Sequence, residues 1–313
     1  MSSDLFVITS YFNPARYETK RRNFETFVRG IELAGVDLLV AELAFKDTPF
    51  ELPPGENVLQ LRCSDVMWQK ERLLNIAVKR LPRSCRKVVW LDCDILLENR
   101  DWVRQTADAL DRFVVVQPFS RAFRLEPGEL APGKHAQPVY SFARVFSAAP
   151  FIARAGHANV HGDTGFAWAV RREFFDQCGL YDAALTGSGD HLMAHAFVGG
   201  MRNSPCLKHR FNDQTAYAKH FMRWAARARD FTDSRLGVVE GDLFHLWHGD
   251  MKDRRYSEVI QEFAAFNFDP DRDLRLEENG LWAWKNASLE LRRWTEEMFG
   301  LRREDGDAKS TVR

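Results

Sequence analysis

The sequence predicts an α/β fold with a mostly parallel central sheet and helices on both faces, and three observations predict it. Short apolar runs alternate with helical apolar patterns through residues 1–118, the order that winds helices around a sheet. The apolar run Val88-Val89-Trp90-Leu91 ends in Asp92-Cys93-Asp94, so two carboxylates stand at a strand end. The length of 313 residues and near-average composition suit one large domain, or one domain with an appendage.

Leu5 to Thr9 reads as the first strand, and Tyr11-Phe12-Asn13-Pro14 after it as a turn. Tyr17 to Ala34 carries helical spacing closed by Gly35. Val36 to Ala44 and Val58 to Arg62 read as strands, with a Pro-rich loop between them. Ser64 or Asp65 is placed to cap a helix over roughly Val66 to Arg80, where Met67, Leu74, Ala77, Val78 and Leu81 share a face. Lys87 to Leu91 is the strand that leads into the Asp-x-Asp pair. Trp102 to Phe113 reads as a helix and Val114 to Pro118 as a strand.

From Ser120 to Asp163 periodicity is lost, which predicts a long loop of the kind that serves as a lid or an acceptor wall. Thr164 to Val170 and Leu243 to Trp247 then read as strands. Arg171 to Cys178, Asp190 to Val198, Ala216 to Asp230 and Tyr256 to Phe266 read as helices. We expect a main domain over residues 1–268, its halves meeting near residue 118, and an extension over 269–313. The polar tail from about Glu304 is expected to fray.

Composition excludes several classes. The formal charge is zero, which gives no electrostatic case for tight nucleic-acid binding. No apolar run approaches the roughly 20 residues that span a bilayer. Met1 to Asp4 lacks the regions of a signal peptide. Cys63, Cys85, Cys93, Cys178 and Cys206 are scattered and form no Cys-x-x-Cys pair, which argues against a zinc ribbon or a disulfide framework. A cytoplasmic protein is expected; nothing in the sequence sets its oligomeric state.

The chemistry begins at Asp92 and Asp94. A spacing of two puts both side chains on one face of an extended strand. Paired hard oxygen donors suit Mg²⁺ or Mn²⁺, and such ions carry phosphates. Three further stretches accompany them: Trp68-Gln69-Lys70-Glu71-Arg72-Leu73-Leu74-Asn75, Asp163-Thr164-Gly165-Phe166 running on to Gly187-Ser188-Gly189-Asp190-His191, and Phe244-His245-Leu246-Trp247-His248-Gly249.

In order and spacing, over roughly residues 5–255, these stretches resemble the GT-A fold of nucleotide-sugar glycosyltransferases. The likeness is to the β-1,4-galactosyltransferase group and its chondroitin-polymerase-like bacterial relatives. Lys70 to Asn75 matches that group's Lys-x-x-Leu-Leu-Asn-like helix. Gly165, Phe174-Phe175, Gly179-Leu180 and Gly187 to Asp190 match its later motifs. The resemblance implies an inverting, metal-dependent transfer of a sugar from a nucleoside-diphosphate donor, UDP-linked, to a hydroxyl-bearing acceptor such as a glycan. It implies Mn²⁺ or Mg²⁺ held by Asp94 and His248, with Asp92 on the ion or the ribose, and Asp190 as the general base. Tyr11, Asn13, Asp65, Lys70, Asp92 and Gly165 would contact the donor. Gly189 departs from the group, whose animal members carry an acid there that helps hold the acceptor.

Each residue has a plainer reading beside this one. Asp92 and Asp94 form a solvated strand end in that reading, His248 a surface histidine, and Asp190 a helix cap. His245 lies three residues from His248, so on an extended strand the two face opposite sides, which favours a packing role for His245. His157, His161 and Asp163 suggest a second metal cluster, but their loop context favours solvent exposure. Asp269, Asp271 and Asp273 lack the glycine and glutamate of a calcium loop. Trp282 and Trp284 are expected to cover the sheet rather than stack on sugars, and the arginines between Arg223 and Arg235 to form a solvated helix face. Two other functions remain open: a nucleotidyltransferase, disfavoured because no Gly-rich basic loop follows the first strand, and a non-catalytic relative that binds nucleotide or carbohydrate.

Overall fold

The structure, a computed structural model, describes residues 4–155, 160–200, 207, 211 and 215–306. The central sheet is made by β1 (Leu5–Tyr11), β2 (Leu38–Phe45), β3 (Val58–Cys63), β4 (Lys87–Leu91), β6 (Val115–Gln117), β9 (Ala167–Arg171) and β10 (Leu236–Val238). Its order is β10-β6-β9-β4-β1-β2-β3. Neighbours run parallel except at β9, which is antiparallel to β4 and β6.

The apolar strands are buried on both faces because the pleat sends alternate side chains into two cores. Ile8, Val88, Trp90, Trp168 and Val170 enter one core; Val7, Val89, Leu91, Ala167 and Ala169 enter the other. The first core is closed by α2 (Lys70–Ala77), α6 (Arg172–Gln177), α7 (Gly189–Phe197) and α8 (Ala216–Thr232). The second is closed by α1 (Glu18–Ala34) and α3 (Trp102–Arg112). A side chain the size of Phe27 or Phe174, essentially fully buried here, contributes on the order of 2–3 kcal/mol to such a core. Gly35 ends α1 at φ 63° and returns its N–H to the Glu32 carbonyl, a conformation glycine adopts without a Cβ penalty.

A smaller sheet consists of β5 (Ile95–Leu97), β7 (Arg121–Arg124), β8 (Val139–Tyr140) and β11 (Asp242–His245), in the order β5-β11-β7-β8. The chain leaves the large sheet at Leu91 and enters the small one at Ile95, so Asp92-Cys93-Asp94 is the corner between two sheets.

Three expectations differ from the structure. The helix after β3 begins at Lys70 rather than Val66. Residues 64–69 instead dock the hairpin of β12 (Leu274–Leu276) and β13 (Trp282–Trp284). The Asp65 carboxylate accepts the Trp284 N–H at 2.8 Å, and Gln69 Oε1 accepts the Trp282 N–H at 2.8 Å. The stretch 120–163 is not a structureless loop. It holds β7, β8, α4 (Phe142–Ala148) and α5 (Pro150–Ala155), elements too short to show a period in sequence. Finally, the chain is held beyond residue 303: Glu304 is buried and Asp305 binds α1. Residues 307–313 lie outside the described residues. Trp284 is buried in the first core, as expected, and Asp269 caps the short helix Pro270–Asp273. Arg223, Arg227 and Arg229 of α8 are exposed, and Arg223 pairs with Asp271. Among the described residues no helix is long and apolar enough to cross a membrane.

Asp305 acts as a distant cap. Its carboxylate accepts the Glu18 N–H at 3.1 Å and the Thr19 N–H at 2.7 Å, two donors that open the helix and have no partner within it. Asp305→Ala is expected to destabilise the protein by about 1 kcal/mol in urea unfolding. An unchanged midpoint would show that this cap contributes nothing.

Candidate active site

A cavity of about 460 Å³ opens where β1 and β4 end, lined there by Ser10, Phe12 and Asp92. Open α/β sheets bind ligands at the carboxyl ends of their strands. The corner between the sheets places both carboxylates in this cavity. The Asp92 N–H donates to the Phe166 carbonyl at 2.7 Å. Phe166 holds that position at φ 76°, unusual for a residue with a bulky side chain, and its ring packs on His245 with centroids 4.7 Å apart.

Two constellations meet here. In the first, Lys70, at the start of α2, sits between two carboxylates. Its ammonium pairs with Asp92 and with Asp190 Oδ2, the latter at 2.8 Å. Asp190 lies in the first turn of α7. Its Oδ1 is buried and makes no hydrogen bond among the described residues. Burial pushes the Asp92 carboxyl up to about 6; Lys70 opposes the shift, and Asp190 and Asp94 add to it. Behind them lies Glu71, also buried. Gly189 leaves the room it needs, because a Cβ there would overlap the Glu71 carboxylate. Burial pushes Glu71 up to about 8, against the attraction of Lys70 and with repulsion from Asp190. The acid that the resemblance places at position 189 is thus absent, and a carboxyl from the preceding helix fills the space.

In the second constellation, Asp94 faces His245 Nε2 at 3.8 Å and His248 Nε2 at 3.5 Å. One donor atom from each of the three lies within 4.8 Å of the others. The opposite-face argument for His245 fails because β11 ends at that residue. The chain then bends, with the Leu246 N–H bonded to the Asp94 carbonyl at 2.9 Å, and both imidazoles reach Asp94. Burial drives the pKa of His245 well below the usual range, with His248 adding to it. Burial, then Arg254, pushes His248 down to about 3. Both rings are neutral near pH 7, the form that ligates metals. His248 Nδ1 lies 3.0 Å from the Leu246 carbonyl, an acceptor that fixes the proton there and leaves a lone pair on Nε2, on the side of Asp94.

Other expected residues lie elsewhere. Tyr11 and Asn13 alternate with Ser10 and Phe12, and so point away from this cavity. The Tyr11 hydroxyl donates to Glu51, and Asn13 Nδ2 donates to the Tyr17 carbonyl at 2.9 Å and to Glu51 at 3.2 Å. Asp65 is engaged with Trp284 and does not line the cavity. Gly165 does line it, its N–H donating to Asp163 Oδ1 at 2.9 Å. His157 lies outside the described residues, and Asp163 pairs with Arg124 at 2.7 Å. His161, expected in solvent, is buried.

Sequence reasoning missed the cationic wall. Lys20, Arg124, Arg254 and Arg302 line the cavity, contributed by four separate segments. Arg254 and Arg302 are set by Glu304, at 3.2 and 2.8 Å. Burial opposes the charge on Glu304, but Lys20 and Arg302 outweigh it and hold the carboxyl below its usual range. Basic residues so far apart in sequence make no visible cluster. A roomier cleft of about 620 Å³, beside Arg72, Cys178 and Arg223, contains none of Asp92, Asp94, Asp190 or His248.

No protein-family model matches the chain, and no curated protein matches it in sequence. Similar solved structures include a mutant Drosophila β-1,4-galactosyltransferase 7 complexed with manganese, UDP-Gal and xylobiose, at 12% identity and TM-score 0.33. That match covers 76% of this chain and spans 64% of the other. Mouse xyloside xylosyltransferase 1 is similar at 13% identity and TM-score 0.31, covering 82% of this chain and 91% of that one. The 4-diphosphocytidyl-2C-methyl-D-erythritol synthase of Anaerococcus prevotii is similar at 9% identity and TM-score 0.34, covering 95% and 96%. These neighbours are sugar and nucleotidyl transferases. At such scores they carry no argument about chemistry, which rests on this chain's own residues.

A carboxyl pushed up on folding loses stability as pH rises from its unfolded to its folded value. For Glu71 that window runs from 4.5 to about 8. Glu71→Gln is expected to match wild type below the window and to exceed it above, read from urea midpoints across pH. Equal midpoints above the window would show that no buried charge forms at Glu71.

Proposed function

We propose that the protein is an inverting, divalent-metal-dependent glycosyltransferase. It moves a sugar from a nucleoside-diphosphate sugar, UDP-linked, to an acceptor hydroxyl on a glycan or similar molecule. The observation that carries the reading is the meeting of the two constellations in one cavity: a carboxylate with two neutral imidazoles, and an ammonium between two carboxylates.

Asp94, His245 and His248 fit a divalent ion. Among the described residues Asp94 Oδ1 is buried without a hydrogen bond, which is costly for a carboxylate oxygen unless a cation takes it. Mixed imidazole and carboxylate donors suit Mn²⁺ better than Ca²⁺. When bound, the ion supplies Lewis-acid stabilisation of the departing nucleoside diphosphate. The side chains do the rest. Lys20, Arg124, Arg254 and Arg302 set a positive wall for the diphosphate. Lys70 holds Asp190 by Oδ2, leaving Oδ1 to take the proton of an acceptor hydroxyl. With a single base on the acceptor side, the hydroxyl displaces the diphosphate from the opposite face, and the anomeric centre inverts.

Nucleotidyl transfer is the alternative reading. The turn after β1 is occupied by Asn13, whose side chain is tied to Tyr17 and Glu51, where such enzymes place a basic phosphate-binding loop.

Thermal shift with Mn²⁺ and nucleoside diphosphates is expected to show joint stabilisation by metal and UDP in wild type and none in Asp94→Ala. Asp190→Asn is expected to keep that stabilisation and to lose about 10²–10⁴-fold in sugar transfer. Stabilisation that survives in Asp94→Ala would sink the metal assignment. Full turnover in Asp190→Asn would remove the base.

A further inference from the structure

We infer that His161, His191 and His195 form a second metal site, built for Zn²⁺ or a similar borderline transition ion and separate from the Asp94 cluster. It does not depend on the proposed sugar transfer.

His191 and His195 are four residues apart on α7, the spacing that stacks two side chains on one helix face. His161 comes to that face from the loop before β9. The ring centroids are 5.1 Å apart for His161 and His191, 5.1 Å for His161 and His195, and 4.8 Å for His191 and His195. One nitrogen from each ring lies within 4.8 Å of the others. Zn–N bonds of about 2.0–2.1 Å put tetrahedral ligand nitrogens roughly 3.4 Å apart, so the three must close on the ion as it binds.

The second observation is the state of His161, which is 2% exposed. Its Nδ1 lies 2.7 Å from the Gly162 carbonyl, which only accepts, so the proton resides on Nδ1. That leaves a lone pair on Nε2, which is buried with no hydrogen-bond partner among the described residues. A carbonyl on the far nitrogen is the usual support of a metal-bound imidazole.

The loop holds His161 in place. The Asp163 N–H donates to the Tyr140 carbonyl and the Phe142 N–H to the Asp163 carbonyl, both at 2.8 Å. Gly162, at φ 86°, lies so close to Ser141 that a Cβ would come within 2.7 Å of its carbonyl oxygen.

The donor set selects the ion. Three imidazoles without a carboxylate favour Zn²⁺, Co²⁺ or Ni²⁺ over Mg²⁺ and Mn²⁺, whereas the Asp94 group has the oxygen donor that Mn²⁺ takes. His195 is fully buried, while His191 also borders the 460 Å³ cavity. A fourth ligand, a water, would enter from that side. The site would act as a brace, joining the loop that carries Gly165 and Phe166 to the helix that carries Asp190.

The test uses the full chain on an Asp94→Ala/His248→Ala background, which removes the other cluster. After loading with Zn²⁺ and desalting, one equivalent is expected to remain, with X-ray absorption showing three imidazole nitrogens and Co²⁺ giving four-coordinate visible bands. Adding His161→Gln and His191→Gln is expected to weaken binding by at least the ~100-fold that even outer-shell changes can cost. Three results would each overturn the site: no bound zinc on the background, a ligand shell dominated by oxygen or sulfur, or one equivalent retained after both glutamine changes. The absorption spectrum decides the matter even if the glutamine variants fail to fold.

Discussion

The Lys70 ammonium between Asp92 and Asp190 is the interaction on which the rest of the site depends. The two carboxylates belong to elements far apart in sequence, the end of β4 and the start of α7. Like charges so close in a buried place repel strongly unless a cation stands between them. Lys70 also ties α2 to both, so one ammonium links the sheet, α2 and α7. Glu71 and Asp94 are also near; burial is the main cause of the upward shifts of Asp92 and Glu71, Lys70 opposes it, and repulsion from Asp190 adds to it. A cavity that carries excess negative charge at its floor and four cations on its wall is suited to a metal diphosphate, which brings both signs.

Much of the frame was legible in the sequence, because a parallel sheet writes itself as continuous apolar runs. β1, β2, β3, β4 and α1 fall within about three residues of their expected bounds. The Asp-x-Asp pair was visible for the same reason, since two acids interrupt a run that otherwise belongs to the core. What the run did not reveal is that Ile95 to Leu97 belongs to a different sheet, because a corner of three residues leaves no break in hydrophobicity.

The misses share a cause. Asp65 and Gln69 look like the entry to a helix, but both are taken by β13 from more than 200 residues away. The resemblance places Tyr11 and Asn13 on the donor; in the structure both are bonded to Glu51, 38 or more residues away. His161 reads as a loop residue because its partners His191 and His195 lie on another element. Local pattern records which face a residue occupies on its own element and is silent about what arrives from elsewhere.

The end of the described chain returns to its beginning. The Tyr17 hydroxyl donates to the Phe299 and Gly300 carbonyls at 2.9 Å and receives the Arg303 N–H at 3.1 Å, while Phe299 packs on Phe12 and Trp68. The Tyr17 bonds join positions 282 and more residues apart. Closing a loop that long costs conformational entropy, and Phe299 helps offset it by burial in the first core. The wall that Arg302 gives the cavity is therefore carried by a segment rooted in that core. A change that loosens the core at Phe299 reaches the cavity through Arg302.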